Sequence, residues 1–456
     1  EIAKRGMMCH DIGHGWTARA LGIHNRSEFD PSKKLPDVQT AMLAQMNGVR
    51  DLYLDLHGNR VLDNTNLCMS NPEVRKLMVQ SVVNYAENAT NVSYLHVWLA
   101  DGSNNHCECE NCQKLTPSDF YMQYMNELDE ALTAKGLDTR IVFICYVDTM
   151  FAPEKFTITN PERFSMLYAP IHRTYTASTE VLDEIPEPIK YVRNNYPHPQ
   201  TPGECLALLR AWQEKWPGMI FGYEYHFWKH QTSDPTGLYL ARRVYEDIRS
   251  LQYMGIHGYV EDGSQRSFFP NGFPIYVYAE TLMNRDVDFD ELTEDYFSHI
   301  YGEDWRQVHD YLTRVQACFD FKWLEGEWST HPTAGTEEGK NYRYYNPPMV
   351  ELLEKVPALA KEGEALAKAH LAMPTRPQTV SYRLLLRQAE FIVGFAEVMK
   401  LLAVDEKKKA LEVYTKFCHE FGKYEFEIER YFDQNIYFML MNVRIARKFG
   451  PPTEGL

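Results

Sequence analysis

Short apolar runs alternate with amphipathic stretches through the first 285 residues of the chain. The runs are Gly6–Asp11, Asp51–Leu56, Tyr94–Asp101, Arg140–Tyr146, Phe164–Tyr168, Met219–Glu224 and Gly258–Glu261. They are rich in Val, Ile, Leu and Tyr, as strands covered on both faces are. The intervening stretches place apolar residues three and four apart, the period of a helix. Their ends carry caps. Asn71 precedes Pro72, which suits the first helical position because it has no N–H to leave unpaired, and that helix runs to about Asn88. Gly136 closes Ser118–Lys135, and Thr201–Trp216 and Gly237–Met254 follow the same rhythm. Such alternation predicts parallel strands joined by crossover helices. The expected fold is therefore α/β, a (β/α)8 TIM-like barrel. A closed barrel has eight strands, so beside the seven runs either a first strand lies ahead of residue 1, the preferred reading, or an irregular segment serves as the eighth. On that count Tyr94–Asp101 is strand four, Met219–Glu224 strand seven and Gly258–Glu261 strand eight.

Past residue 285 the strand-like runs stop. Asp290–Tyr301, Asp304–Phe319, Pro348–Leu371, Thr379–Ala403 and Glu406–Phe432 all read as helices. The expected organisation is a barrel over 1–285 and a C-terminal α-helical domain over 286–456.

Charge narrows the function. A net −16 repels phosphate backbones and anionic lipid, which argues against nucleic-acid and membrane-surface partners. No apolar run approaches the roughly 20 residues of a membrane span. Aromatic residues make up 13% of the chain, with 29 Tyr and 8 Trp, which suits stacking on sugar rings as well as it suits a large core.

The chemistry of a (β/α) barrel sits at the C-terminal ends of its strands. Those positions are polar throughout: His10, Asp11 and His14; Asp55 and His57; Asp101 and Asn104; Tyr146 and Asp148; His172 and Arg173; Glu224, Tyr225 and His226; Glu261 and Asp262. Glycoside cleavage needs one carboxyl group to protonate the leaving oxygen and a second group to stabilise the cationic centre. Asp101, Glu224, Glu261 and Asp262 are the catalytic candidates. His10, His14, Trp16, His57, Trp98, Asn104, Tyr146, His172, Arg173, Tyr225 and His226 are the candidates for holding sugar. No cofactor is expected for catalysis itself.

Nine cysteines, mostly scattered singly, do not form a disulfide framework. The sharpest local pattern is His106-Cys107-Glu108-Cys109-Glu110-Asn111-Cys112. With Cys68 or His106 as fourth ligand it can hold a structural zinc. A disulfide from Cys68 to Cys107 or Cys112, or reduced thiols, are the competing readings.

The stretch Leu95–Cys112, together with Asn66–Val74, resembles the bacterial domain-of-unknown-function family 4838, part of which is grouped as glycoside hydrolase family 163. Gly255–Glu291, with Val260-Glu261-Asp262-Gly263, looks like that family's last barrel unit, and the likeness runs from about residue 5 to 330. The resemblance implies a retaining endo-β-N-acetylglucosaminidase acting on the N-glycans of glycoproteins, with the substrate's acetamido group participating. It also implies a secreted, periplasmic or cell-surface location and a smaller α/β domain ahead of the barrel. Another barrel glycosidase, such as an α-glucuronidase using Arg173 or Arg266, and a non-catalytic glycan-binding protein are the alternatives.

Overall fold

The computed structural model of the chain describes residues 3–446, apart from 26, 28, 56–57, 90, 180–181, 183, 264–265 and 337–341. Six strands form one sheet in chain order: β1 (His10–Gly13), β2 (Tyr94–Val97), β3 (Arg140–Tyr146), β4 (Phe164–Ala169), β5 (Ile220–Glu224) and β6 (Tyr259–Glu261). From β1 to β5 every neighbouring pair is parallel. Helices α1 (Trp16–Ala20) and α2 (Pro72–Asn88) separate β1 from β2, and α3 (Pro117–Ala134) separates β2 from β3. Helices α4 (Pro202–Gln213) and α5 (Leu238–Met254) precede β5 and β6.

The caps act as their residue types require. Asn71 accepts the Glu73 N–H at the start of α2. Thr116 and Asp119 form a reciprocal capping box on α3, as do Thr201 and Glu204 on α4.

Two strand expectations are corrected. The run Asp51–Leu56 adds no strand to the six-stranded sheet among the described residues. Tyr53–Leu54 folds back antiparallel on Arg60–Val61, because the Asp55 carboxylate accepts the Asn59 N–H and closes a turn. The first strand starts at His10 rather than Gly6, with Met7 and Met8 left exposed. Among the described residues the sheet therefore has six strands and is not the closed eight-stranded ring.

Side chains alternate across the sheet. Phe143 packs against Tyr121 of α3 and against Trp212 of α4, so Ile141, Phe143 and Cys145 face the helices. The Tyr168 hydroxyl donates to the Cys205 carbonyl in α4, which puts Tyr168 on the same side. Register then carries the assignment along the sheet: Tyr168 pairs with Gly222, so Gly222 and Glu224 point to the helix side. His96, Trp98, Tyr146, Phe221 and Tyr223 project from the other face, where Phe221 and Tyr223 meet His96 and Trp98.

The chain divides into two compact units. One comprises Glu1–Thr174, Leu182–Glu224 and Leu251–Val260; the other comprises Tyr175–Val181, Tyr225–Ser250 and Glu261–Leu456. The division differs from the expected 285/286 boundary. Leu238, Ala241, Tyr245, Phe273 and Val277 belong to the core of the helical unit, so its apolar surface claims segments that the alternation assigned to the barrel. That core is built by α6 (Phe273–Met283), α7 (Phe289–Tyr301), α8 (Trp305–Gln316), α9 (Val356–Ala369), α10 (Arg376–Ala403), α11 (Lys407–Gly422) and α12 (Gln434–Ala446). No helix among the described residues is long and apolar enough to cross a membrane.

Candidate functional site

In the first unit the polar groups gather where β2 ends. Trp98 follows the last residue of β2 and seats its ring against Gly13, where a Cβ would lie 3.0 Å from the indole. His14 and His96 meet the same ring edge-on, at centroid distances of 5.0 and 5.2 Å. The indole N–H of Trp98 is buried and has no hydrogen-bond partner among the described residues. A buried donor left open costs free energy unless a ligand or water meets it.

Asp101 stands beyond the indole, its side chain 46% exposed. Its Oδ1 accepts the Tyr146 hydroxyl at 3.0 Å and the Gly102 N–H at 2.7 Å. His14 places Nδ1 2.7 Å from the Leu99 carbonyl, so Nδ1 is the donor and Nε2 faces Asp101 Oδ1 at 3.8 Å. The loop is tied from behind: the Asp101 N–H donates to Asp63 O, and Asn105 donates to the Asp101 and Asn64 carbonyls. Asn104 sits in the left-handed region at φ 55. Its N–H donates to the fully buried Asp148, which also accepts the Tyr191 hydroxyl, and its own Oδ1 is buried without a partner. This end of the sheet thus offers a half-exposed carboxylate, an indole, a phenol, an imidazole and two open hydrogen-bonding atoms. A few placed polar groups beside an aromatic ring are what fixes the orientation of a small ligand.

Other expected residues lie elsewhere. Glu224 closes β5 on its helix-facing side and is 5% exposed, gripped by Arg173 Nε at 2.9 and 3.1 Å. A guanidinium is always charged, so this is a buried ion pair rather than a half-exposed carboxyl beside Asp101. Of the two arginines named for a uronate, Arg173 holds Glu224 and Arg266 holds Asp433. Trp16 is no sugar platform: its ring is 0% exposed and its indole N–H donates to the His96 carbonyl inside the core. His10 opens its strand instead of ending it, pairs with Tyr94, stacks on that ring and shares a 2.8 Å hydrogen bond with His96. It therefore lies roughly 10 Å from the C-terminal edge, three strand residues away. Burial, and then the His10 neighbour, push the His96 imidazole down to about 4, so His96 stays neutral at neutral pH. His172 packs against His198, ring centroids 3.9 Å apart and the planes tilted by 38°. His57 lies outside the described residues.

The remaining candidates belong to the second unit. Tyr225 is 5% exposed and its N–H donates to the Tyr175 hydroxyl, leaving little ring surface for a ligand. His226 is fully buried, with Nδ1 2.7 Å from Glu261 and Nε2 2.9 Å from Asp247. Burial opposes a charge there, but the two carboxylates outweigh it and raise the imidazole to about 9. His226 is thus a cation clamped between two anions. Asp262 is half-buried.

Sequence reasoning missed His96, Tyr223 and Tyr191. Two-residue alternation from Trp98 along β2 reaches His96, whereas the placement of Tyr223 and Tyr191 needs the register and the loop path.

Beside this site Cys68, Cys107, Cys109 and Cys112 converge, all four sulfurs lying within 4.8 Å of one another as free thiols.

The family described as "Domain of unknown function (DUF4838)" matches residues 51–313. No curated protein matches the chain. Among solved structures, a GH138 enzyme targeting pectin rhamnogalacturonan II is similar at 9% identity and TM-score 0.39, over 79% of this chain and 47% of that one. The chain thus spans about half the length of that protein. A mutant of the Thermobaculum terrenum O-GlcNAc hydrolase is similar at 10% identity and TM-score 0.33, over 83% of this chain and 76% of that one.

Proposed function

The chain belongs to the DUF4838 family, as its 51–313 match establishes, and we propose that it is a glycoside hydrolase. Its substrate on this reading is a glycan bearing 2-acetamido sugars, and its activity that of a retaining endo-β-N-acetylglucosaminidase on N-glycans. One observation carries the reading: Asp101 stands half-exposed at the strand ends, flanked by Tyr146 and His14, beside an indole whose N–H has no partner. Asp101 Oδ1 already accepts two hydrogen bonds, from Tyr146 and Gly102. Oδ2 is then the atom for an acetamide N–H. Holding that N–H turns the acetamide oxygen toward the anomeric carbon, so the substrate supplies its own nucleophile and the protein needs one further acid. Trp98 offers the ring face and the N–H that fix the sugar's orientation.

The test is to incubate the protein with a glycoprotein carrying complex-type N-glycans and follow released glycan by mass spectrometry. Glycan release with initial retention of the β-anomer, inhibited by a thiazoline mimic of the cyclised acetamide, is the expected result. No release from complex or high-mannose glycoproteins, and no turnover of aryl N-acetylglucosaminides, would sink the proposal. Binding of the same glycans without turnover would favour a lectin-like role.

A further inference from the structure

The four cysteines beside the Asp101 loop are too well arranged to be incidental packing. They come from two separate segments. Cys68 precedes α2, and Cys107, Cys109 and Cys112 lie between β2 and α3. Cys68 Sγ is 3.7 Å from Cys109 Sγ and 3.8 Å from Cys112 Sγ, and every pair of the four sulfurs is within 4.8 Å. A zinc ion at the centre of four thiolates has Zn–S bonds of about 2.3 Å, which sets tetrahedral S···S separations near ~3.8 Å. The spacing is far too long for a disulfide, whose sulfurs are about 2.05 Å apart. It is also too tight for the larger cage of a multi-iron cluster. Cys68, Cys107 and Cys112 are buried and Cys109 is half-buried, so the centre is closed and all four positions are filled by protein. A closed four-sulfur centre suits a structural ion and not one that activates water.

The surroundings supply what such a centre needs. Four thiolates around a divalent ion carry a net charge of −2. The Arg50 guanidinium offsets it, with one nitrogen 3.9 Å from Cys107 Sγ and the other 3.8 Å from Cys68 Sγ. The Gln45 backbone N–H donates to Cys107 Sγ at 3.2 Å, and the Ser70 hydroxyl lies 3.1 Å from Cys112 Sγ. Cations and N–H donors around thiolate ligands stabilise the anionic sulfurs and fix their directions. Arg193 fastens the loop from outside through the Cys107 and Cys112 carbonyls.

We propose that Cys68, Cys107, Cys109 and Cys112 bind a single structural zinc ion that ties the Cys68 segment to the loop carrying Asp101. The tie reaches the site through short paths. Asn66, two residues before Cys68, accepts the Ala100 N–H and donates to Asn105 Oδ1, and Asn105 in turn holds the Asp101 carbonyl. The ion is thus a positioning device for the half-exposed carboxylate. The metal assignment rests on sulfur geometry alone and stands apart from the glycosidase reading.

The experiment is elemental analysis of the full chain, purified without chelator or metal-affinity resin. About one zinc per chain is expected, as for a closed structural site. Replacing it with cobalt should give the sulfur-to-cobalt charge-transfer band and the d–d bands of tetrahedral thiolate ligation. Cys112→Ser should lose the metal, whereas Cys109→His, which keeps four good donors, should retain it; Cys205→Ser, outside the cluster, should leave the zinc content unchanged. Zinc-free protein whose four thiols all alkylate readily, a mass-spectrometric Cys68 disulfide, iron in place of zinc, or zinc kept by Cys112→Ser in folded protein would each overturn the proposal.

Discussion

Asp101 and Glu224 began as equivalent strand-end carboxylates, and their surroundings separate them. Asp101 is half-exposed and hydrogen-bonded by a phenol; Glu224 is buried against a guanidinium. Asp101→Asn keeps the shape and removes the charge. It should lower kcat by about 100-fold or more on the released-glycan assay while leaving the thermal midpoint unchanged. Activity within about two-fold of the parent protein would remove Asp101 from the mechanism. Glu224→Gln should do the reverse. It removes the negative charge that faces the buried Arg173 guanidinium, which costs about 3–5 kcal/mol, read by denaturant unfolding. Replacing both partners with Met should recover most of that loss. A Glu224→Gln protein of full stability and no activity would instead make Glu224 catalytic. The sequence put both at strand ends; Glu224 does end β5, whereas β2 stops at Val97 and Asp101 lies in the loop beyond it. It could not separate them, because exposure and pairing depend on residues far along the chain, such as Arg173 for Glu224 and Tyr146 for Asp101.

At the scale of elements, the helices of the second unit approach closely where glycine leaves room. A Cβ on Gly394 in α10 would meet the Phe417 ring of α11, and one on Gly363 in α9 would meet Tyr311 of α8. Alanine is the better helix former by about 1 kcal/mol, yet Gly394→Ala should lower stability. The overpacking cost of roughly 1–3 kcal/mol exceeds the propensity gain. A raised melting temperature for Gly394→Ala would mean that Phe417 can move aside. Element type was legible here because long stretches with period 3.6 admit no other reading, and α10 and α7 fall almost where the apolar spacing put them. Short elements were not legible. Asp51–Leu56 has a strand's composition, but its fate was decided by the turn at Asp55–Asn59, which pairs it with Arg60–Val61.

For the molecule as a whole, pH reports on the His226 clamp. Its pKa is raised from 6.5 to about 9 against the opposing effect of burial, by Glu261 and Asp247. A raised pKa means the folded state holds the proton more tightly, so the stabilisation is complete below the unfolded value of 6.5 and is lost as pH rises through 9. A shift of that size corresponds to on the order of 3 kcal/mol. Unfolding midpoints should therefore fall between neutral pH and pH 9 in the parent protein. The same scan on His226→Gln should be nearly flat across that range, and an equal slope in both proteins would show that the clamp contributes nothing.

The sequence by itself determined the class of elements and their rhythm: parallel strands with polar ends, then helices. Period and capping are local, and local patterns survive in one dimension. It also marked the carboxylates, the indole and the cysteine cluster, since residue type is written in the chain. Which face each side chain takes was decided only by strand register and helix packing. So were which carboxylate is paired, which tryptophan is buried and which cysteine completes the set of four. Those outcomes rest on contacts between distant segments, and within the sheet a change of one residue in register would move every side chain of a strand to the other face.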